Sequence, residues 1–315
     1  TAGKVISHNL NSVPKMIIGK RTDTTGEWRV YHVSLGNDAG ILLNSTGAAG
    51  SYAPLNNTTP TSSQFVLNNN ANVNANGGTY VAYLFGDDAV FGEDSDESIV
   101  KCGSLNSGTS GNNTTVNLGF EPQWILFKGS SAAGDGWWMF DTMRGWTGSL
   151  GDLNNKYVQA NTSSAEGNIT NYINVTSTGF VMQGGAFASN KTYLYMAIRR
   201  PMKVPEAATE VFNIGTYGAN RNNSSTSTYY AGFPVDLALK KVPVTANTNN
   251  LISARMLGTT VLETNSGAAQ GTGETEETFD SNTYWNKAAG TSSTSYSWMF
   301  KRASQFMDVV AYTPD

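Results

Sequence analysis

The sequence predicts an all-β fold of three tandem antiparallel β-sandwich modules of a lectin-like or jelly-roll type, each about a hundred residues long. Three observations predict this fold. Short apolar runs alternate with stretches rich in Gly, Ser, Thr and Asn, which is typical of short strands joined by turns. Only 14% of the residues are charged while 11% are aromatic, which favours a packed core over disorder. Finally, four sequence phrases recur three times in the same order.

The first recurring phrase is an apolar strand that begins at a proline and ends at a lysine six positions later, in residues 14–20, 122–128 and 234–240. Proline has no N–H group, so it does least harm where a strand begins. The nearly continuous apolar run between proline and lysine is expected of a strand covered on both faces.

The other three phrases follow in the same order in each copy. They are a second apolar strand that ends in glycine, an Asn-led turn, and a strand that contains tyrosine. In the three copies these phrases occupy residues 28–36, 137–145 and 250–258, then 44–49, 161–166 and 265–269, then 79–85, 192–198 and 295–300. Because all four stand in register, we interpret them as copies of one structural unit.

The phrases place the predicted modules at residues 1–97, 98–208 and 209–315. Modules two and three begin with an additional strand that module one lacks. The trailing segment 306–315 resembles that opening strand. Either the sequence is a window from a longer array, or Val309, Val310 and Tyr312 form an inter-chain strand that completes the first module of another copy.

The sequence offers no catalytic motif, and we predict that the protein is not an enzyme. Its two histidines, His8 and His32, stand in no zinc or triad motif, and neither a phosphate-binding loop nor a dinucleotide fingerprint is present. The one cysteine, Cys102, cannot form an intrachain disulfide and is interpreted as a structural thiol. A net charge of −4 argues against a nucleic-acid partner, and no apolar run is long enough to cross a membrane.

Acidic residues crowd the predicted junction of modules one and two. Within this stretch Asp94, Asp96 and Glu97 form a candidate calcium loop, because hard carboxylate oxygens suit that ion. Their spacing is not that of an EF-hand, and solvated acids on a loop are the alternative. We predict no other cofactor.

Three aromatic residues in polar stretches, Trp146, Tyr284 and Trp285, are candidate contacts for a host glycan or receptor. Aromatic rings bind sugars by stacking against them. The alternative interpretation is that these rings close the ends of the sandwich core.

Several phrases resemble the tandem-repeat structural proteins of marine tailed bacteriophages. They are a Gly-Phe-x-Pro-x-Trp strand followed by lysine, an Asp-x-x-Arg-Gly segment, an Ala-Ile-Arg-Arg-Pro-Met-Lys-Val-Pro junction and two further segments. These phrases occupy residues 119–128, 141–145, 197–205, 91–104 and 308–313. The resemblance spans essentially the whole chain, although predicted modules one and three depart from the Asp-x-x-Arg-Gly pattern.

This resemblance implies a virion component, located on the tail or on the capsid surface, and it supplies no catalytic residues. Its expected partners are other virion proteins, further copies of the same chain and, for an adhesive role, a glycan on the host surface. Two other functions stay open: a receptor-binding module that recognises glycans, and a polysaccharide depolymerase tailspike. The tailspike would normally show short β-helix repeats, which this sequence lacks.

Overall fold

A computed structural model describes most of the chain. The described residues are 2–92, 96–148, 155–170, 172–185, 187–200, 205–217, 227–242, 250–258, 260–266, 271–272, 278–287, 295–303 and 306–309. Strands make up 44% and helices 5%, and the strands form several antiparallel, sandwich-like sheets. The predicted all-β class is therefore confirmed.

Twenty-three strands are described. They are β1 (Lys4–Ser7), β2 (Met16–Arg21), β3 (Arg29–His32), β4 (Ile41–Leu42), β5 (Gln64–Leu67), β6 (Tyr80–Phe85), β7 (Val100–Asn106), β8 (Thr114–Asn117), β9 (Pro122–Gly129), β10 (Trp137–Asp141), β11 (Asn155–Gln159), β12 (Gly167–Ile169), β13 (Ile173–Thr176), β14 (Gly179–Met182), β15 (Thr192–Arg199), β16 (Phe212–Tyr217), β17 (Ser227–Tyr230), β18 (Leu237–Lys241), β19 (Leu251–Ala254), β20 (Thr260–Glu263), β21 (Gly271–Thr272), β22 (Tyr284–Lys287) and β23 (Ser295–Phe300). One short helix, α1 (Ala71–Asn74), and three 3-10 turns (Val33–Leu35, Ala208–Glu210 and Arg255–Leu257) complete the described elements.

Three of the sheets share one strand order. The first is β4-β3-β2-β6, the second contains β11-β10-β9-β15-β7, and the third contains β20-β19-β18-β23-β16. The proline-to-lysine phrases supply the corresponding strands β2, β9 and β18. The opening strands β7 and β16 each cover the outer edge of the strand that carries the tyrosine phrase, whereas the first sheet stops at β6 among the described residues.

The register corrects one predicted equivalence. Lys20 in β2 lies opposite Val81, and the corresponding position of β18 is Lys241, which lies opposite Tyr296. The prediction aligned Lys240 with Lys20, and it is wrong by one residue. There is one residue more between Pro234 and the start of β18 than between Pro14 and the start of β2. The distance from the proline therefore does not determine which residues lie opposite each other, and the pairing of the strands does.

The glycine that ends the second phrase has a positive φ in all three copies. Gly36, Gly145 and Gly258 have φ values of 77°, 97° and 64°. Each glycine closes a tight turn, with the amide of Gly36 bonded to Val33 O and that of Gly258 to Arg255 O. A side chain at this φ would be strained, which explains why the phrase ends in glycine each time.

The chain forms two compact units. Unit 1 contains Thr1–Phe140, Tyr157–Gly167 and Gly179–Arg200, and unit 2 contains Asp141–Lys156, Asn168–Thr178 and Pro201–Asp315. Predicted module one therefore lies wholly in unit 1, whereas predicted module two is divided between the two units. The predicted boundaries at residues 97 and 208 stay a prediction.

Unit 1 has a core built from both of its large sheets. One face of β2 and β3 and one face of β9 and β15 bury their side chains together, in a cluster of Met16, Ile18, Val30, Ile41, Leu126, Trp137, Leu194 and Met196. The indole Nε1 of Trp137 donates to Leu42 O at 2.8 Å, which satisfies the polar atom of this buried ring. The opposite face of β2 packs on the β1–β5 pair through Ile17, Tyr31, Leu55 and Phe65.

Unit 2 has its own aromatic core. Trp285 stacks on Tyr229 and on Phe279, with ring centroids 5.2 and 5.6 Å apart. Met299 of β23 and Ala238 of β18 are fully buried in the same cluster. These contacts join the β17–β22 pair to the third large sheet.

His32 links the two sheets of unit 1. It is 1% exposed, its Nε2 lies 3.0 Å from Tyr195 O, and its Nδ1 accepts a bond from the amide of Ser34. Nε2 therefore carries the proton and donates it to the carbonyl. Burial lowers the pKa of His32 to about 4. His32 is thus a buried residue of strand β3.

We expect His32 to make unit 1 sensitive to acid. Its folded pKa lies below the unfolded value, so its contribution to stability is complete above pH 6.5 and is lost as the pH falls towards 4. This loss amounts to about 3 kcal/mol. Denaturant titrations from pH 7 to pH 4 should show a smaller acid loss for His32→Gln than for the parent, whereas His8→Gln should retain the parent's profile. Equal acid losses in the parent and His32→Gln would contradict this assignment.

Candidate functional site

An open groove of about 790 Å³ lies in unit 1 between the β1–β5 pair and the sheet that contains β2 and β6. Its volume is in the range of ligand and peptide sites. Ile17, Leu55 and Phe65 form its apolar floor, and the edge strand β6 contributes Tyr80, Val81 and Ala82 to one side.

The groove exists because two small residues stand where the second sheet has two aromatic ones. Gly19 of β2 lies opposite Ala82 of β6, and the corresponding pair in β9 and β15 is Phe127 opposite Tyr195. Phe127 is fully buried and contacts four other aromatic rings, and Tyr195 packs edge-on against Phe180. Without such rings, the space between the sheets of the first predicted module stays open.

Tyr80 holds the short helix α1 at one end of the groove. Its hydroxyl donates to Ala71 O at 2.8 Å and accepts from the amide of Ala75 at 2.7 Å. The guanidinium of Arg21 lies over the Tyr80 ring at 5.8 Å and pairs with Asp23. The hydrogen bond from Arg21 lowers the pKa of Asp23 well below its usual range, so this rim is ionised at neutral pH.

The outer edge of β6 carries backbone groups that pair with no other strand among the described residues. The amide of Thr22 donates to Thr79 O at 2.9 Å, so Thr22 and Thr79 form a hydrogen-bonded pair. This pair shows which residues of β6 direct their backbone groups towards β2. Since hydrogen-bonding direction alternates along a strand, the N–H and C=O groups of Tyr80, Ala82 and Leu84 point away from β2. Within the described part of the chain, no strand pairs with this edge.

Gly19 also gives a direct test of the groove. A Cβ at this position would meet only Arg29 O, at 3.8 Å. We expect Gly19→Ala to stabilise unit 1 by about 0.5–1 kcal/mol, because it reduces the entropy of the unfolded chain without a clash. Gly179→Ala is the matched control, since its Cβ would collide with Val116 O, and it should destabilise. The measurement is the Tm of each variant relative to the parent. A lower Tm for Gly19→Ala than for the parent would contradict an open groove.

Two of the three predicted aromatic contacts are core residues. Trp146 and Trp285 are each 0% exposed, and their indole nitrogens donate to Ile173 O and Ser297 Oγ, both at 3.0 Å. Their prediction as glycan contacts is therefore wrong, because neither ring is accessible to a sugar. Polar neighbours in the sequence are misleading here: the neighbours of Trp285 lie in the same strand, β22, where successive side chains point to opposite faces, and the Trp285 ring points inwards.

Tyr284 is partly exposed and remains a candidate contact. It lies opposite Tyr230 in the β17–β22 pair, with ring centroids 5.5 Å apart at 65°. Tyr230 is 66% exposed and is the most exposed large hydrophobic side chain described. The sequence analysis did not predict Tyr230 as a contact. Successive side chains of a strand point to opposite faces, so a buried Tyr229 implies an exposed Tyr230.

The candidate calcium loop is only partly described. Asp94 lies outside the described residues, and Glu97 forms an ion pair with Arg199 at 2.9 Å. Among described residues, Asp96 included, no three His, Cys, Asp or Glu side chains are grouped so that they could hold a metal ion. Cys102 is partly buried, and burial raises its pKa, which disfavours a reactive thiolate.

The predicted inter-chain strand is described only at its start. Val309 is half-buried, and Val310 and Tyr312 lie outside the described residues. The preceding Asp308 pairs with Arg302. The strand stays a prediction. No helix in the described residues is long and apolar enough to cross a membrane.

Fold and groove together define an all-β, sandwich-like protein with an open sheet edge and no assembled catalytic group among its described residues. The chain belongs to the family described as Domain of unknown function (DUF7483), whose model matches residues 1–201. The matched span ends beside Arg200, the last residue of unit 1. No curated protein and no solved structure matches the chain.

Proposed function

We propose that the protein is a non-enzymatic structural and adhesive component of a tailed-phage virion, as a tail fibre, a tail-associated protein or a capsid-surface protein. The resemblance of its junction phrases to virion repeat proteins supports this proposal.

One structural observation carries the proposal: the first two predicted modules share a core. Met16 and Ile18 of the first sheet pack with Leu126 and Met196 of the second. Modules on flexible linkers would each bury their own apolar face. A shared core instead makes successive repeats one stiff body, which suits a part that bears load on a particle surface.

Its partners in this role are other virion proteins and further copies of the same chain. In the part of the chain that the structure describes, no strand pairs with the outer edge of β6, and backbone donors and acceptors left unpaired at an edge are a template for another strand, which supports such association. Several copies on one particle would bind together, so that weak single contacts give a high overall avidity.

The proposal is tested on purified particles. Antibodies raised against the recombinant protein should label intact virions at one recurrent location in negative-stain electron microscopy. The matched control is the same serum after absorption with the recombinant protein, which should abolish the labelling. The proposal would be contradicted if the particles stayed unlabelled and the protein were found only in the soluble fraction of a lysate.

A second candidate function is recognition of a host-surface glycan, and the exposed Tyr230–Tyr284 pair favours it. Two neighbouring rings on one strand pair offer a stacking surface for a sugar. Tyr230→Ala should reduce binding on a glycan array at least tenfold. Tyr83→Ala removes an exposed tyrosine from another sheet and should leave binding unchanged. Equal binding by the parent and Tyr230→Ala would exclude this surface.

A further inference from the structure

We propose that the groove of unit 1 binds a medium-chain fatty carboxylate, with the alkyl chain on its apolar floor and the carboxylate beside Lys4. This inference goes beyond the proposed structural role, because it assigns a small-molecule ligand, and its test does not depend on where the protein lies in a particle. All of the described residues that line the groove belong to unit 1.

The lining of the groove suits an alkyl chain. Its buried and half-buried apolar side chains include Ile6, Ile17, Leu55, Phe65, Leu67 and Val73. Several of these residues also form the cluster that joins the β1–β5 pair to β2, so core packing holds the floor in place. Apolar side chains at an open groove are in contact with water, and the methylene groups of a bound chain would displace that water.

The charges around the groove favour an anionic head group. Among the described residues that line it, only Lys4 and Lys20 are charged, and none is acidic. The Lys20 ammonium group points away, since it lies 6.0 Å from the centre of the Trp28 ring, which packs on the opposite face of β2. Lys4 and Ile6 are two residues apart on β1, so they share a face, and Lys4 is exposed. Lys4 therefore places a positive charge at the mouth of the groove.

A single lysine suits a head group with one negative charge. The other ions at the rim, Arg21 and Asp23, pair with each other at 2.8 Å and add no net charge. One ammonium group therefore balances one carboxylate, whereas a doubly charged phosphate would leave a negative charge in excess. Because the carboxylate lies at the exposed mouth, its ion pair contributes little, and most of the affinity comes from the buried chain.

Isothermal titration calorimetry with octanoate, decanoate and dodecanoate tests the site of the chain. Each added methylene group should lower the Kd about fourfold, as expected for a methylene group that becomes buried. Gly19→Leu should raise the Kd of dodecanoate about tenfold or more, because its side chain would fill the space above the floor. Ala82→Leu fills the same space from β6. Val5→Leu is the matched control, since Val5 is exposed on the other face of β1 and should retain the parent Kd.

Lys4→Gln tests the site of the carboxylate. In a buffer of physiological ionic strength it should raise the Kd of dodecanoate about threefold and leave the Kd of dodecanol unchanged, because dodecanol has no charge. Val5→Glu is the matched control. It lowers the net charge by the same amount from the opposite face of the same strand, and it should leave both Kd values close to those of the parent.

Three results would overturn the proposal. They are a parent that does not bind dodecanoate, a Kd that does not depend on chain length, and parent-like binding by Gly19→Leu and Ala82→Leu when circular dichroism shows that both are folded. Equal Kd values of dodecanoate for Lys4→Gln and Val5→Glu would contradict the position of the carboxylate. These titrations use the pure protein, so antibody labelling of particles tests the structural role separately.

Discussion

Replacing Asp236 with alanine is expected to destabilise unit 2 by about 3–5 kcal/mol, because it leaves a buried arginine without its counter-charge. Asp236 is 1% exposed and Arg255 is 4% exposed, and they pair at 3.1 Å. The second carboxylate oxygen accepts the amide of Arg302 at 2.7 Å. Arg255 also donates to Val235 O at 2.8 Å and Thr142 O at 3.1 Å. Urea denaturation followed by tryptophan fluorescence measures the loss.

The double variant Asp236→Leu/Arg255→Met is the informative control. It removes both charges, so it should cost less than Asp236→Ala alone, since an unpaired buried charge is worse than none. If the single variant unfolds with a free energy within 1 kcal/mol of the parent, the ion pair is not buried as described.

Replacing Lys128 with methionine is expected to destabilise unit 1 by about 3 kcal/mol, because three carbonyls lose their donor, one in a buried hydrogen bond and two in partly buried ones. Lys128 is 0% exposed, and its Nζ donates to Asp135 O at 2.7 Å, Gly129 O at 3.1 Å and Thr46 O at 3.3 Å. Burial lowers the pKa of Lys128 to about 8. The measurement is the free energy of unfolding at pH 7, where the amine is mostly charged.

Lys20→Met is the matched control, because Lys20 holds the same register position in the first sheet. Its Nζ donates to one carbonyl among the described residues, Arg21 O at 2.8 Å, and the side chain is partly exposed. We expect it to cost less than about 1 kcal/mol. Equal losses for Lys20→Met and Lys128→Met would show that the carbonyl cage contributes nothing.

The contrast between these lysines shows where sequence reasoning stops. The recurring proline-to-lysine phrase correctly placed strands β2, β9 and β18, because an apolar run bounded by proline and lysine is a local pattern. The phrase could not show that Lys128 is buried among carbonyls while Lys20 is partly exposed. Two of the carbonyls that Lys128 bonds, those of Thr46 and Asp135, lie outside the phrase. For the same reason the residue of β18 that corresponds to Lys20 was predicted as Lys240 and is Lys241, because pairing between distant strands determines the register.

The candidate site shows the limit more strongly. Trp146 and Trp285 stood in polar stretches and were predicted as contacts, yet both rings are buried. Tyr230 escaped notice, although it is the exposed aromatic of its strand. Neighbouring residues in a strand point to opposite faces, so polarity along the sequence says little about which ring meets solvent.

By itself the sequence determined the all-β class, the order of the recurring strands and the glycines that close their turns. These properties depend on local pattern and on repetition, which are visible in one dimension. Only the tertiary structure decided that two sheets share one core, that Gly19 and Ala82 leave a groove, and that no strand among the described residues pairs with the outer edge of β6. Those properties depend on which distant residues meet across a sheet, and burial and hydrogen bonding between them are settled only when the chain folds.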